Sequence, residues 1–256
     1  MKFSILFWNI WFYNQIEGEA RLDRLLDELK KLVDQHKPDL IALSEAVRIL
    51  PDKSAPVIEH LQKLGYDYGH CAHMAQLDDY WMSGVALCSR FPIRQKKHIV
   101  ISKNGYAAKR GYLDLDKEII SAQVNLPGGR DLTVIVAHPS APIDSLKEHQ
   151  VGIKNLSQLV HSEAYAKNTI LVGDMNEWRL IPGSLRRKVA DVMHSRTGTL
   201  LSPTWHYEAH QFTPLRANLD YLYWSKQSDF SIKNFKVLAS SVSDHSPLLA
   251  SFEYNV

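Results

Sequence analysis

Short apolar runs recur along the chain, and longer segments of helical periodicity separate some of them. Runs such as residues 3–8 and 132–137 have the length and the β-branched and aromatic content of buried strands. Between such runs, apolar residues recur every three or four positions, as they do on one face of a helix. The alternation predicts strand–helix–strand units and therefore an α/β protein.

The helical period covers three segments, and the first two end at Pro38 and Gly65. The predicted helices are residues 19–36, 55–64 and 144–165. The predicted strands are residues 2–9, 39–44, 66–72, 84–89, 99–101, 119–126, 131–137, 169–173, 219–224, 230–238 and 248–252. Residues 178–211 are the least regular region, and we expect a long loop segment there.

Four of the apolar runs lead directly into a polar residue that can bind a metal ion or a phosphate group: Asn9, Glu45, His138 and Asp174. Asn9 and Glu45 are separated by 36 positions, and so are His138 and Asp174, with a helical pattern between each pair. This equal spacing suggests one strand–helix–strand unit used twice. In open α/β sheets, ligands bind at the carboxyl ends of such strands.

The run before Asp174 carries two further signals. Asn176 lies two positions after Asp174, so in extended backbone both side chains share one face of the strand. Gly173 lets another backbone segment or a ligand approach closely. An Asx turn that merely closes the strand is the alternative interpretation of this segment.

Two later strands begin, rather than end, with polar residues: Asp220 opens one, and Asp244 and His245 precede the other. If these strands run antiparallel to the earlier ones, their polar residues reach the same sheet edge. We therefore predict a cluster of Asn9, Glu45, His138, Asp174, Asn176, Asp220, Asp244 and His245. A polar rim whose members have unrelated roles is the alternative.

The residue types in this cluster favour one chemistry. Glu45 and Asp244 are hard oxygen donors that suit Mg²⁺ or Mn²⁺ better than zinc. The chain has neither a Gly-x-Ser-x-Gly elbow nor a P-loop. Hydrolysis of a phosphate ester needs neutralised phosphate charge, an activated water and in-line geometry, and the cluster offers groups for each requirement.

Composition sets broad limits on the protein class. The chain has 256 residues, of which 45% are hydrophobic and 23% charged, as in an ordinary globular protein. No linker-like stretch divides it, so we expect one domain spanning residues 1–256. The net charge of +2 permits a phosphate-bearing substrate without demanding a polyanion.

Cys71 and Cys88 are the only two cysteines, and their apolar surroundings indicate reduced core residues. The apolar N-terminal run stops at Asn9 without a cleavage site, which indicates a strand rather than a signal peptide. No apolar run is long enough to span a bilayer. We expect a cytoplasmic monomer.

Basic residues outside the cluster are candidates for substrate contacts. These candidates are Arg110, Arg186, Arg187 and Lys188, with Lys96, Lys97 and Lys109 as further cationic positions. Arginine can bind phosphate oxygens in a bidentate manner. A run of charges is, however, ordinarily a solvated face, and that alternative stays open.

Five short segments resemble the motifs of the endonuclease/exonuclease/phosphatase superfamily, which includes deoxyribonuclease I, sphingomyelinases and inositol phosphatases. The segments are Trp8-Asn9, Leu43-Ser44-Glu45, Gly173-Asp174-Met175-Asn176, Leu219-Asp220-Tyr221 and Ser243-Asp244-His245. Together they extend over essentially the whole chain. The resemblance implies a deoxyribonuclease I-like four-layer α/β sandwich, with two mixed β-sheets face to face and helices outside.

The resemblance also implies a role for each matching position. Glu45 would be the principal ligand of a Mg²⁺ or Mn²⁺ ion, with Asn9 and Asp244 near the ion. For deoxyribonuclease I, a carboxylate partners the first histidine of the site, and Asp78 and Asp79 are the candidates for that partner here.

The remaining matching positions would handle water and phosphate. Asp174 would orient or deprotonate the attacking water, and Asn176 and His138 would hold phosphate oxygens. His245, hydrogen-bonded to Asp220, would stabilise developing charge or serve as the general base.

The fold does not choose among the substrates of this superfamily, which include nucleic acids, phospholipids, inositol phosphates and small phosphodiesters. The basic runs, together with aromatic residues at positions 11–13, favour a nuclease or phosphodiesterase acting on DNA or RNA. The near-balanced charge favours the alternative, a phosphatase or phosphodiesterase for a lipid-linked or small organic phosphate. A scaffold that retains the fold without activity is the third possibility.

Overall fold

The computed structural model describes residues 1–10, 18–49, 54–76, 81–103, 113–114, 116–178, 184–199, 201–207 and 215–255. Some predictions concern positions outside the described residues. These positions are Lys109 and Arg110, Asp78 and Asp79, and the aromatic residues 11–13.

The described residues form strands and helices in the following order. The strands are β1 (Lys2–Asn9), β2 (Leu40–Ile49), β3 (Tyr68–Gln76), β4 (Trp81–Ser89), β5 (Ile93–Ser102), β6 (Leu113–Asp114), β7 (Lys117–Leu126), β8 (Arg130–Ala137), β9 (Thr169–Asp174), β10 (Met193–Arg196), β11 (Trp205–Tyr207), β12 (Leu215–Ala217), β13 (Asp220–Ser225), β14 (Phe230–Val237) and β15 (Leu248–Tyr254). The helices are α1 (Gly18–His36), α2 (Pro56–Lys63), α3 (Pro142–His161) and α4 (Leu185–Lys188), with a 3₁₀ turn at Glu163–Tyr165.

Two mixed β-sheets make up the centre of the protein. One has seven strands in the order β14-β15-β1-β2-β4-β3-β6, and the other has six in the order β10-β13-β9-β8-β7-β5. Strands β1 and β2 pair in parallel in the first sheet, as β8 and β9 do in the second, and the other described pairings within the two sheets are antiparallel.

The burial pattern arranges these sheets and helices in four layers. One core cluster lies between the sheets and joins residues such as Phe7 and Phe252 of the first sheet to Val134 and Val172 of the second. A second cluster packs α1 and α2 on the outer face of the first sheet. A third packs α3 on the outer face of the second sheet. The predicted four-layer α/β sandwich is confirmed.

The strand order brings the ends of distant segments together. The β1–α1–β2 and β8–α3–β9 segments are both strand–helix–strand units with parallel strands, as the 36-residue spacing predicts. Strand β13 runs antiparallel to β9, with Asp220 opposite Asp174, and β15 runs antiparallel to β1. The expected antiparallel direction of the two late strands is therefore confirmed.

Gly173 is fixed by the packing of β9 against β8. A Cβ atom at this position would lie 1.9 Å from the carbonyl oxygen of Ala137, so only glycine fits without a backbone shift. The close approach expected at Gly173 therefore comes from the neighbouring backbone. It holds His138, the residue after Ala137, next to Asp174.

The sequence-based boundaries of several strands are wrong, and those of β2 and β5 differ most from the observed ones. Strand β2 does not stop before Glu45 but continues to Ile49, with a bulge between Ser44 and Ala46. Strand β5 begins at Ile93, so Lys96 and Lys97 lie within it and are exposed at the edge of the six-stranded sheet. Charged side chains on such an edge oppose pairing with other chains, which supports the solvated-face interpretation of that run.

Residues 178–211 hold more regular structure than the loop that the sequence predicts. Their described part contains α4, β10 and β11, and β10 is an edge strand of the six-stranded sheet. These elements have three or four residues each, too few for a hydrophobic period to register.

Both cysteines are free thiols, as expected, with Cys88 buried and Cys71 partly buried. Burial raises the pKa of the Cys88 thiol to about 12. Among the described helices, none combines the length and the apolarity needed to cross a membrane.

Candidate active site

Asn9, the last residue of β1, links the two sheets at the predicted cluster. Its Nδ2 atom donates hydrogen bonds to Glu45 Oε1 at 3.1 Å and to Asp174 Oδ2 at 3.0 Å. Glu45 belongs to the seven-stranded sheet and Asp174 to the six-stranded sheet. The side chain of Asn9 therefore sets the separation of two carboxylates that come from facing layers.

Glu45 occupies an unusual backbone conformation within β2. Its φ is +58°, in the left-handed region, and it is the extra residue of the bulge opposite β4. Residues other than glycine and asparagine rarely adopt this conformation, and bulges commonly redirect a side chain near a functional site. Strand β2 continues beyond Glu45 to Ile49, and the bulge directs the buried Glu45 carboxylate toward the cluster.

Asp220 and His245 form a buried hydrogen-bonded pair, with Asp220 Oδ2 2.8 Å from His245 Nδ1. The backbone of His245 is held as well, because its carbonyl accepts a hydrogen bond from Trp8 Nε1 at 2.9 Å. Ser243 Oγ accepts from the His245 N–H at 3.1 Å and donates to the Asn9 carbonyl at 2.8 Å. The position of this imidazole is thus determined from both β1 and β13.

Burial acts to lower the pKa of His245, but nearby carboxylates outweigh it. Asp220, through its charge and its hydrogen bond, and then Asp174 and Asp244 raise the pKa of His245 to about 10. The imidazole is therefore a cation at neutral pH.

Asp174 lies between the two histidines. Its Oδ2 atom is 3.6 Å from His138 Nε2 and 3.7 Å from His245 Nε2. Burial raises the pKa of Asp174 to about 6, although the positive charge of His245 opposes the shift. Burial, with smaller contributions from Lys117 and His245, lowers the pKa of His138 to about 3. At neutral pH the site thus holds a carboxylate between a neutral and a charged imidazole.

Asn176 is fixed by two hydrogen bonds to this part of the site. Its backbone N–H donates to Asp174 Oδ1 at 2.8 Å, and its Nδ2 donates to the carbonyl of Pro139 at 3.1 Å. Its φ of +51° lies in the left-handed region, which asparagine tolerates better than most residues. Asn176 thereby fastens the end of β9 to the segment that follows His138.

Three buried carboxylate oxygens lack a hydrogen-bond partner within the described part of the chain. They are Glu45 Oε2, Asp220 Oδ1 and Asp244 Oδ1. Burial and the neighbouring Asp244 charge raise the pKa of Glu45 to about 8, and burial also raises the pKa of Asp244. Buried carboxylate oxygens that have no hydrogen-bond partner and repel one another fit a site that binds a cation.

Two sets of residues could hold such a cation. Ligand atoms of Asp174, Asp220 and His245 lie within 4.8 Å of one another. Asp220 and His245 already hydrogen-bond each other, however, and a cationic imidazole does not coordinate a metal. The oxygens of Glu45 and Asp244 fit Mg²⁺ or Mn²⁺ better, since these ions prefer oxygen ligands.

Contacts within 4 Å join all eight residues predicted for the cluster into one network. The catalytic roles of these residues stay predictions. Trp205 was not among the predicted site residues, yet its Nε1 donates to Asp244 Oδ2 at 2.9 Å. The signal available for it was an aromatic residue within the irregular region.

The described basic candidates make none of the contacts that form this network. Arg186, Arg187 and Lys188 form three of the four residues of α4, and all three are exposed. Arg186 borders a cleft that also includes Glu177 and Trp178, whereas Arg187 and Lys188 do not line it. Their proposed contacts with substrate stay predictions.

The sandwich and its polar cluster define a class, the hydrolases of phosphate esters. The model of the Endonuclease/Exonuclease/phosphatase family matches residues 6–245, and the chain belongs to this family. A comparison with curated protein sequences gives no significant match.

Solved structures of similar fold extend over nearly the whole chain. An endonuclease/exonuclease/phosphatase from Beutenbergia cavernae has a TM-score of 0.76 at 18% identity and covers 99% of this chain and 72% of its own. The human Nocturnin catalytic domain with bound sulfate gives 0.73 at 20% identity, covering 99% and 94%. D. rerio TDP2 complexed with a single-strand DNA product gives 0.65 at 14% identity, covering 98% and 99%.

Proposed function

We propose that the protein is a Mg²⁺- or Mn²⁺-dependent phosphodiesterase that acts on DNA or RNA. The observation that carries this proposal is the buried Asp220–His245 pair beside Asp174, with His245 Nε2 3.7 Å from Asp174 Oδ2. The charged imidazole can stabilise negative charge on the phosphate, and the carboxylate beside it can accept a proton from the attacking water. Further carboxylate oxygens without hydrogen-bond partners among the described residues lie next to them.

Glu45, Asp244 and the carboxamide oxygen of Asn9 would hold the metal ion. The ion, when bound, supplies positive charge that neutralises phosphate oxygens. Trp205 fixes one oxygen of Asp244, and Asn9 fixes one oxygen of Glu45, so each carboxylate keeps one oxygen without a hydrogen-bond partner among the described residues.

Asp174 is the group that we assign to the attacking water. With a pKa raised to about 6 by burial, it is mainly ionised at neutral pH yet basic enough to accept a proton. Hydrogen bonds from Asn9 and from the N–H of Asn176 hold its two oxygens in fixed directions. Such fixed orientation is a major source of rate enhancement in displacement reactions.

The two histidines would act on the phosphate. His245 is charged at neutral pH and can donate from Nε2 to a phosphate oxygen, since its Nδ1 bonds Asp220. His138 is neutral, because burial lowers its pKa to about 3, and it can donate a hydrogen bond only through the nitrogen that carries its proton. Asn176 would bind a further phosphate oxygen.

Nucleic acid is the proposed substrate for two reasons. The exposed cations of α4 are available to a polyanion, and the similar D. rerio structure contains a single-strand DNA product. The net charge of +2 instead favours a lipid-linked or small organic phosphate, the second candidate substrate class. A cytoplasmic location, a monomeric state and a single domain stay predictions.

A substrate panel with Mg²⁺ tests this proposal. It contains duplex DNA, abasic DNA, RNA, phospholipid and inositol phosphates, incubated with the wild-type protein, Asp174→Asn and the exposed-site control Asp23→Asn. We expect cleavage of a nucleic acid that Asp174→Asn reduces at least about 100-fold and Asp23→Asn leaves unchanged. Cleavage of lipid or inositol phosphate alone would replace the nuclease assignment, and no cleavage at all would indicate an inactive scaffold.

A further inference from the structure

A cleft of about 560 Å³ lies beside the cluster, and no step of the proposed hydrolysis uses it. Its walls include residues that directly follow members of the cluster. Glu177 and Trp178 come after Asn176, and Tyr221 comes after Asp220. A molecule in this cleft would therefore contact the same two chain segments that carry Asn176 and Asp220.

The walls of the cleft are joined to the cluster by direct contacts. The ring of Trp178 packs edge-on against Trp205, with centroids 5.1 Å apart and planes at 74°. Trp205 in turn donates its indole N–H to Asp244. Thr197, another lining residue, donates a hydrogen bond from Oγ1 to the Asp220 carbonyl at 2.7 Å. The cleft and the cluster are thus joined by direct contacts.

The side chains lining the cleft combine aromatic rings with two arginines and one carboxyl group, that of Glu177. Trp178 and Tyr221 supply the rings, and Arg186 and Arg216 supply two guanidinium groups. Neither arginine has a salt-bridge partner in the described ranges of the chain. Asn218 adds a carboxamide whose oxygen accepts a hydrogen bond from the Thr204 N–H at 3.2 Å.

We propose that this cleft binds the nucleotide next to the scissile phosphate, with its base against Trp178 and a neighbouring phosphate on Arg186 or Arg216. The inference rests on the proposed function and names the part of the substrate that the cleft selects. Aromatic faces bind bases of any sequence, and arginine binds phosphate. An acyl chain would offer the two guanidinium groups no anionic partner, and a polyol phosphate would make no use of the rings.

The test compares two ligands that share a phosphate and differ in the base. Adenosine 5′-monophosphate and ribose 5-phosphate are titrated calorimetrically into the protein with Mg²⁺. We expect the nucleotide to bind about 5- to 100-fold more tightly, the range that stacking of one base provides. Trp178→Ala should remove most of this difference, and Trp178→Phe should restore it, because phenylalanine also presents an aromatic face.

The arginine contact has its own matched control. Arg186→Ala should weaken nucleotide binding by about fivefold or more, whereas Arg196→Ala removes an exposed arginine outside the cleft and should leave it unchanged. Equal binding of the two ligands, or variants that bind the nucleotide like the wild type, would overturn the inference. Myo-inositol 1-phosphate binding as tightly as the nucleotide would overturn it too.

The titrations also separate this inference from the proposed function. Hydrolysis of the substrate panel together with base-independent binding would leave the phosphodiesterase standing and remove the nucleotide cleft. If the protein hydrolysed nothing with Mg²⁺ or Mn²⁺ but bound the nucleotide in a base-dependent way that Trp178→Ala abolished, the nucleotide cleft would stand and the proposed phosphodiesterase would not.

Discussion

Glu45 shows how a single buried residue can report on the site around it. The left-handed backbone at the β2 bulge places its carboxylate in a buried position near Asp244 and Asp174. Burial, and to a smaller extent these two charges, raise the pKa of Glu45 and favour its protonated form. Because the pKa of Glu45 is about 8 in the folded protein, ionising this carboxyl group at higher pH destabilises the folded state.

This cost gives a pH dependence of known sign. The pKa of Glu45 is 4.5 ordinarily and about 8 in the folded protein, so the folded state binds more protons between these values. Stability should therefore fall as pH rises from 4.5 to 8, by a few kcal/mol in total, at about 1.4 kcal/mol per pKa unit. We expect urea unfolding in EDTA to show this loss for the wild type and a much weaker one for Glu45→Gln.

The exposed-site control for this experiment is Glu163→Gln, which should keep the pH dependence of the wild type. If Glu45→Gln and the wild type lost stability in parallel between pH 5 and 8.5, Glu45 would not be the strained carboxyl.

A second prediction at the residue scale concerns the pKa of His245 in its pair with Asp220. Asp220→Asn removes the largest influence that raises the pKa of His245, so this pKa should fall clearly below about 10, although Asp174 and Asp244 still oppose the effect of burial. NMR titration of the imidazole nitrogens measures it. Asp191→Asn, which alters the exposed Asp191–His161 pair, should leave His245 unchanged. An unchanged His245 titration in Asp220→Asn would rule out the pairing.

The positions of the eight cluster residues could be inferred from sequence because each lies next to an apolar run, and strand direction then decides where its side chain goes. Two features at this scale could not. The bulge at Glu45 depends on pairing with β4, and the Trp205–Asp244 hydrogen bond depends on where a short, irregular segment folds back.

The close packing of β8 against β9 decides the geometry of the site at the scale of elements. Gly173→Ala would place a methyl group on the Ala137 carbonyl, and the two strands would have to separate. We expect a loss of about 3 kcal/mol or more in the free energy of unfolding, measured by urea denaturation.

A glycine-to-alanine substitution in α3, Gly152→Ala, is the control for Gly173→Ala. At Gly152 a Cβ atom would meet Pro139 Cβ at 3.4 Å, an ordinary contact, and alanine favours a helix, so Gly152→Ala should be neutral or stabilising. Equal effects of the two substitutions would mean that the β8–β9 approach is not as tight as described.

Elements with several turns or strong alternation were predictable, since α1, α2 and the central strands lie where the hydrophobic period places them. Strands β10, β11 and β12 were not, because three or four residues gain their structure from pairing rather than from their own sequence. The sequence did not predict that β5 extends over its basic residues. Because β5 is an edge strand, these residues are exposed and show no apolar pattern.

For the whole molecule, the charged surface bears on the choice of substrate. Replacing Arg186, Arg187 and Lys188 with alanine should weaken DNA binding and flatten the plot of log affinity against log salt, because fewer counterions are released. Replacing Lys226, Lys233 and Lys236, which are equally exposed, removes the same charge elsewhere and should have a smaller effect. Fluorescence anisotropy between 50 and about 300 mM salt measures both. If the two triple variants bound DNA alike, α4 would be only a solvated face.

The repeated spacing indicated strand–helix–strand units, and the resemblance of five short motifs implied the four-layer sandwich, with which the match over residues 6–245 agrees. The substrate did not follow, because one fold serves many phosphate esters and selection rests on surface residues outside the motifs.

The central claim is that the carboxylates around Asn9 hold a catalytic divalent cation, and chelation tests it most directly. Hydrolysis of bis(p-nitrophenyl) phosphate is followed in EDTA, then after Mg²⁺ or Mn²⁺ is restored, for the wild type and for Glu45→Ala. We expect activity only with the metal, recovered on its return, and at least about 100-fold lower in a folded Glu45→Ala protein at equal metal concentration. Full turnover by the chelated wild type would contradict the claim.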